Sequence, residues 1–430
     1  MLNDTHRDSR VLRMADSARS NGYQVRVFAI NSSRYVAGVE TRASGAEVFR
    51  QMIVPQIVWK TIAAGRRLSR ERQAPRHDEL GLTSDGQTGA VILSGIRRRI
   101  AAGTVSVAAS AKSRLRHRFD RVTTANVIEW KPDVVHAHDA NTLNVALKVN
   151  EQTGVPFVYD AHELWEERGS LVRGTKEDSA DRQLLDRATG LAAGLVTVSP
   201  SVAGWMRRRY ELPESPVLVR NVPPNSDAPD RSTGRLRGLA GLDANAKIIV
   251  YVGILGPNRG LVETVEALAL LPADVHLVML GYSDDAYDHT LASISKSAGV
   301  ADRVHFVGSV APNDVSPTIA DADLSLVVIQ AEYLNDAFSL PNKLFESIHG
   351  GLPVLASDLP DIAQLVDEYG VGTVIESTSA EDVASAAKSL LSDPQSFRAA
   401  CAAASQELTW ENEVSRLFAV YDRILVSSTK

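Results

Sequence analysis

The chain reads as an α/β protein of two doubly wound domains joined by a linker. From Lys247 onward, short continuously apolar runs alternate with helical stretches, the pattern of a parallel sheet covered on both faces. The first half repeats that alternation with longer insertions. Between the halves, Pro223 to Asn245 is rich in Pro, Ser, Asp, Gly and Ala and has no apolar periodicity. The expected parts are an N-terminal domain over 1–222, a linker over 223–245, a second domain over 246–410 and a closing helix over 411–430.

The elements follow in order. Asp8 to Ser20 (DSRVLRMADSARS) reads as a helix capped by Asp8. Gln24 to Ile30, Val134 to Ala137, Phe157 to Tyr159, Val196 to Ser199 and Val217 to Val219 read as strands. In the second half Lys247 to Ile254 is a strand, Leu261 to Leu271 a helix, and Val275 to Leu280 a strand. A helix near Ala286 to Ser297 precedes strands at Val304 to Val307, Leu324 to Ile329 and Leu352 to Ala356. No internal repeat is visible, which excludes a solenoid.

Composition narrows the class. A length of 430 residues suits two or three domains, and 44% hydrophobic with 23% charged residues is ordinary for a globular protein. The single cysteine, Cys401, excludes an internal disulfide framework and thiolate clusters. No run approaches the roughly 18 apolar residues of a membrane span and no signal peptide opens the chain, so it is read as cytoplasmic. The net charge of −6 is uneven, because Lys60 to Arg121 holds 14 Lys and Arg against 5 Asp and Glu, leaving −15 for the remainder. Together with the apolar stretch from Val48, this makes 48–121 a basic amphipathic insert that suits the anionic inner face of a membrane, and equally a solvated insert. Nucleic acid is disfavoured, since no binding motif accompanies the charge.

Ser339 to Asp358 (SLPNKLFESIHGGLPVLASD) carries the densest chemistry. Pro341 fits the first position of a helix that Gly350 and Gly351 end before a buried strand. Asn342 and Glu346 share one helix face, with Lys343 beside them. A helix N-terminus suits a phosphate, Lys343 adds a charge, and Glu346 can accept two hydroxyl hydrogen bonds from a ribose. A plain surface helix with a solvated Lys343 fits the same letters.

Two further groups stand at strand ends. In Tyr251 to Gly260 (YVGILGPNRG), Gly253 and Gly256 permit close backbone approach, and Arg259 would aim a guanidinium near the next helix N-terminus. The G-x-G-x-x-G fingerprint is absent, which disfavours a nicotinamide or flavin dehydrogenase. Val134 to Asp139 (VVHAHD) and Tyr159 to Glu163 (YDAHE) end adjacent strands with His136, His138, Asp139, Asp160, His162 and Glu163. They read as a cleft lining, with a metal site as the alternative.

PNKLFE followed by a Gly-Leu-Pro-Val strand resembles the donor-binding segment of family-4 glycosyltransferases, in a subgroup with a Pro-Asn-Lys variant of it. These are retaining enzymes of the GT-B fold, two doubly wound Rossmann-like domains facing each other across a cleft. The resemblance implies that Glu346 holds the ribose of a nucleotide diphosphate sugar, while Arg259 and Lys343 neutralise its diphosphate beside Gly253 and Asn342. It sets Phe306 to Val310 (FVGSV) against the nucleobase through the backbone around Ser309 and Val310. His138 would reach the transferred sugar, and His162 would face the cleft beside Asp139 and Glu163. No metal and no cofactor beyond the donor co-substrate is implied. The acceptor would be a hydroxyl, with a lipid-linked one among the candidates.

This chain departs from the family pattern at three places. An expected Glu is Phe338, so Asp336 or Glu332 would have to supply a carboxylate for the sugar. A usual basic residue is Ile254, which leaves one charge fewer for the diphosphate. The family's first strand and Gly-rich loop have only seven residues to occupy ahead of the first helix, which suggests a start assigned too late. The expected activity is transfer of a hexose-type sugar with retention, in surface polysaccharide or glycoconjugate synthesis. A nucleotide-sugar epimerase of the same fold and a degenerate nucleotide-binding scaffold are the rival readings.

Overall fold

The computed structural model describes residues 8–32, 35–53, 113–169, 174–283 and 285–428. Two compact units result, Met1–Phe157 and Val158–Lys430. The division falls ahead of residue 222, where the sequence places the first domain's end.

In the first unit the Ser9–Ser20 helix is capped as expected, the Asp8 carboxylate accepting from the Val11 N–H at 3.1 Å. Its apolar stripe of Val11, Met14, Ala15 and Ala18 is buried. Three strands follow: β1 (Arg26–Ile30), β2 (Gly38–Thr41) and β3 (Glu47–Gln51). β3 lies between the other two, parallel to β1 and antiparallel to β2. The β4 strand (Val135–His138) then leads to a helix over Leu143–Thr153.

The insert expected over 48–121 needs correction at its start. Val48 to Gln51 belong to β3, where the Arg50 guanidinium pairs with Glu40 and stacks 4.6 Å over the Tyr35 ring. The Gln51 amide donates to Thr123 at 3.0 Å and accepts from Asn126 at 2.7 Å. Those two residues lie on a helix over 113–130, whose Phe119 and Val127 pack with Ile30, Ile53, Val145 and Val149. The start of the insert is therefore core, its last residues lie on a helix that buries Phe119 and Asp120 while Arg114, Arg118 and Arg121 stay exposed, and its middle, 54–112, lies outside the described residues.

The second unit contains two parallel sheets. β5 (Phe157–Ala161), which begins at the boundary, pairs with β6 (Gly194–Thr197), and β6 with β7 (Val217–Leu218). The closing helix, Trp410–Ser428, packs on β6. Gly194 makes that approach possible, since a Cβ there would lie 2.5 Å from Val420 Cγ1. A buried ion pair adds to the contact, the Glu413 carboxylate accepting from the Arg220 backbone N–H at 2.8 Å and its guanidinium at 2.6 Å.

The larger sheet comprises β8 (Lys247–Ile254), β9 (Val275–Tyr282), β10 (Val304–Gly308), β11 (Leu324–Val327), β12 (Val354–Ser357) and β13 (Gly372–Ile375). All are parallel, in the order β10-β9-β8-β11-β12-β13. Ile249, Tyr251, Leu277 and Met279 enter one core, and Ile248, Val250, Val278 and Leu280 the other. Helices cover both faces, which is why these strands read as unbroken apolar runs. The stretch read as a linker holds a helix over Arg235–Ala240, fastened by the Asp321 carboxylate to the N–H groups of Leu236 and Arg237 at 3.1 and 3.0 Å.

Candidate active site

The strand order of the larger sheet reverses between β8 and β11. β8 is followed by a helix leading to β9, whereas the segment after β11 leads to β12. The two connections leave in opposite directions, and this opens a crevice at the carboxyl ends of the strands. Two segments enter it, the turn over 255–260 after β8 and the stretch over 328–341 after β11.

The turn after β8 has a constrained backbone. Gly253, near the end of β8, has φ +119°, and within the turn Asn258 has +61° and Gly260 +64°. A side chain at Gly260 would put its Cβ 2.3 Å from Val328 Cγ1, so the turn closes tightly on β11 only with glycine there. The Asn258 carbonyl accepts from the Gln330 N–H at 3.1 Å, a second tie between the two segments. Arg259 stands half-buried in this turn.

From the other side comes the helix Asn342–His349. Pro341 is its N-cap, in extended conformation with φ −78° and ψ 147°, and not its first helical residue as the sequence suggested. No side chain caps this end, which leaves its first N–H groups directed outward. Asn342 is exposed, with its carbonyl oxygen accepting from the Asn221 amide at 2.9 Å. Lys343 is buried at 7% exposure, and its Nζ has no hydrogen-bond partner. The ammonium lies 4.2 Å from the centroid of the Tyr251 ring. Burial pushes Lys343 down to about 7; the Arg259 charge pushes the same way, and Glu346, half-buried one turn along, opposes it.

Gly253, Arg259, Asn342, Lys343 and Glu346 thus come from two neighbouring strand ends. Ser309 and Val310 follow β10 on the same edge of the sheet, Ser309 exposed and Val310 packed against the Ile248–Val250 core. Asp336 lies on a short helix, Leu334–Ala337, and its carbonyl accepts from the Ser339 hydroxyl at 2.8 Å. This segment is held by other loops of the unit. The Asn335 side chain accepts from the Leu164 N–H at 2.8 Å, and the Phe338 carbonyl accepts from the Ser199 hydroxyl at 2.8 Å.

The remaining candidates are engaged locally. His162 Nε2 lies 3.2 Å from the fully buried Asp160 carboxylate. Glu163 pairs with Arg168 at 3.0 Å, and the Arg168 guanidinium stacks on Trp165. In the first unit His138 ends β4, buried at 9% exposure, its ring 4.4 Å from that of His136. Asp139 adopts φ 58° and ψ 167°, a conformation that costs a non-glycine residue on the order of 1–3 kcal/mol. The Thr142 hydroxyl stabilises this turn by donating to the His138 carbonyl at 2.8 Å.

Sequence reasoning missed Tyr251, the aromatic ring against which Lys343 rests. Its only signal was an aromatic residue in an otherwise aliphatic strand.

Comparison with known proteins agrees with this fold. Residues 235–408 match the family model described as glycosyl transferases group 1, and residues 82–221 that of glycosyltransferase family 4. The D-inositol 3-phosphate glycosyltransferase of Rhodococcus opacus (strain B4) is 26% identical over 305 residues, 67% of this chain and 67% of that protein. Sucrose-phosphate synthase from Thermosynechococcus elongatus superposes with a TM-score of 0.69 at 15% identity, over 97% of this chain and 93% of that one. Anabaena HepE in complex with UDP-glucose superposes with a TM-score of 0.57 at 18% identity, over 73% and 82%. With its two Rossmann-like α/β domains and both matched modules, the chain is a GT-B glycosyltransferase of the group 1 and family 4 type.

Proposed function

We propose that this glycosyltransferase moves a hexose-type sugar from a nucleotide diphosphate sugar to a hydroxyl acceptor with retention of anomeric configuration. One observation carries the reading: the buried, hydrogen-bond-free Lys343 ammonium beside Arg259 in the switch-point crevice. Two cations held in a desolvated site repel each other and gain most from a bound dianion. The uncapped helix end at Pro341 adds N–H dipoles of the same sign.

In this mechanism the bond from the anomeric carbon to the diphosphate oxygen breaks, and the charge left on the diphosphate is taken up by Arg259, Lys343 and the helix N–H groups. The acceptor hydroxyl forms its new bond on the face the diphosphate leaves, and its proton passes to the departing phosphate oxygen. Glu346 accepts from the ribose hydroxyls, and the backbone at Ser309 and Val310 meets the base. The family resemblance gives His138 the task of orienting the sugar, and Asp336 or Glu332 would replace the carboxylate missing at Phe338. UDP-glucose in the HepE complex supports a nucleotide sugar as donor.

Synthesis of a surface polysaccharide or glycoconjugate at a membrane face is the role that fits the basic stretch between Lys60 and Arg121. Among the described residues no helix is long and apolar enough to cross a membrane. A thermal-shift panel of nucleotide sugars, followed by a transfer or donor-hydrolysis assay with the stabilising one, tests the proposal. A donor that raises the unfolding temperature and is consumed above a heat-killed control supports it. Stabilisation without turnover would instead mark a nucleotide-binding scaffold, and release of an epimerised free sugar nucleotide an epimerase.

A further inference from the structure

We infer that Tyr251 is a positioning residue for the donor diphosphate, its ring holding the Lys343 ammonium and its hydroxyl holding the turn that carries Arg259. The inference rests on the diphosphate reading proposed above. Tyr251 lies within β8, the strand at the switch point, and is 1% exposed. Its hydroxyl donates to the Ile254 carbonyl at 2.7 Å, where the chain leaves the strand for the Arg259 turn. Its ring centroid lies 4.2 Å from Lys343 Nζ, which has no hydrogen-bond partner. One side chain therefore touches the Lys343 ammonium and the strand end from which the Arg259 turn departs.

The chemistry of the contact gives the ring a task beyond packing. A buried amine beside a guanidinium tends to lose its proton, and burial with the Arg259 charge pushes Lys343 down in this way. The face of an aromatic ring carries negative charge and favours the ammonium over the amine. With Glu346, whose charge also favours the ammonium, the ring thus opposes the two effects that would neutralise Lys343 before a diphosphate arrives. Tyr251 itself is pushed up to about 12 by burial, so its hydroxyl stays protonated and available to the Ile254 carbonyl.

The test uses the full chain, with inorganic pyrophosphate as a base-independent probe in calorimetry between pH 6 and 9. Pyrophosphate affinity is expected to fall as pH rises through the Lys343 titration. Tyr251→Leu should weaken it roughly three- to thirty-fold at neutral pH and move the midpoint of the fall to lower pH. Tyr251→Phe, which keeps the ring, should restore the midpoint. It should still lose a few-fold in affinity with Arg259 present and nothing in an Arg259→Ala background. Tyr251→Met provides a ring-free variant if Tyr251→Leu does not fold, with thermal unfolding as the control. A midpoint unchanged in the ring-free variants overturns the inference for the ring. An equal loss from Tyr251→Phe with and without Arg259 overturns it for the hydroxyl. If Lys343→Ala and Arg259→Ala themselves leave pyrophosphate affinity unchanged, the diphosphate reading falls first.

Discussion

The hydroxyls of Ser325 and Ser347, both fully buried, lie 2.6 Å apart and join β11 to the helix that carries Lys343. The Ser347 hydroxyl donates to the Lys343 carbonyl at 2.5 Å, so its single proton is committed and Ser325 is the donor between the two. The pair fastens the first turns of the helix to the sheet. Lys343 therefore reaches its buried position from a rigid base and not from a mobile loop.

Burial of Lys343 implies a pH-dependent instability. Its folded-state value of about 7 lies below the ordinary lysine value of 10.5, so between these limits the unfolded chain binds more protons than the folded one. Stability must then rise with pH across that window, and the penalty is fully present below it. The window corresponds to a penalty on the order of 5 kcal/mol. Chemical denaturation at pH 7 and pH 9.5 should show the wild type gaining stability relative to Lys343→Met. A constant difference would mean that Lys343 is solvated.

Glu346→Ala should weaken nucleotide binding by roughly 1.5–3 kcal/mol, the range for hydrogen bonds to a charged group. Calorimetry with the nucleoside diphosphate that gives the largest thermal shift measures this, and unchanged affinity removes Glu346 from the ribose. His138→Ala should spare that affinity while lowering turnover, and full turnover in this variant would take His138 away from the sugar.

The Arg220–Glu413 pair predicts a structural role for the closing helix. Glu413 is fully buried and Arg220 largely so. The half-exposed Arg416 also reaches Glu413 at 3.1 Å, so removing Arg220 leaves the buried carboxylate with that one weaker cation, at a cost of up to about 3–5 kcal/mol. Arg220→Ala should lower the denaturation midpoint accordingly, and Arg220→Lys should recover only part of the loss because Lys lacks the planar fork. A midpoint within experimental error of wild type would show that the pair is solvated.

How much the sequence disclosed depended on whether the pattern was local. β8 and β9 were legible because both their faces are buried, which leaves unbroken apolar runs. β2 was not, since Gly38 to Thr41 are all exposed and carry no apolar pattern. The start of the basic stretch was misread because Arg50 and Gln51 look like surface residues. They are buried only by virtue of Glu40, Thr123 and Asn126, partners that a local reading does not join to them. Glu346, Lys343 and Arg259 were found through the letters around them, whereas Tyr251 acquires its meaning from a lysine on another element.

The basic stretch makes its own prediction. Each Lys or Arg near an anionic surface contributes about 1 kcal/mol, and the +9 excess between Lys60 and Arg121 exceeds what peripheral binding needs. The protein should co-sediment with vesicles in proportion to their anionic lipid content and be released by raised salt. Equal partition to neutral and anionic vesicles, or to neither, would assign the stretch to solvent.

The most direct measurement compares calorimetric affinities for a nucleoside diphosphate and its plain nucleoside in wild type, Arg259→Ala and Lys343→Ala. Charge-assisted contacts to phosphate belong to the diphosphate alone. Each substitution should therefore weaken the nucleoside diphosphate by tenfold or more and leave the nucleoside nearly unchanged. Equal losses for both ligands, or none for either, would contradict a diphosphate site in the crevice between β8 and β11.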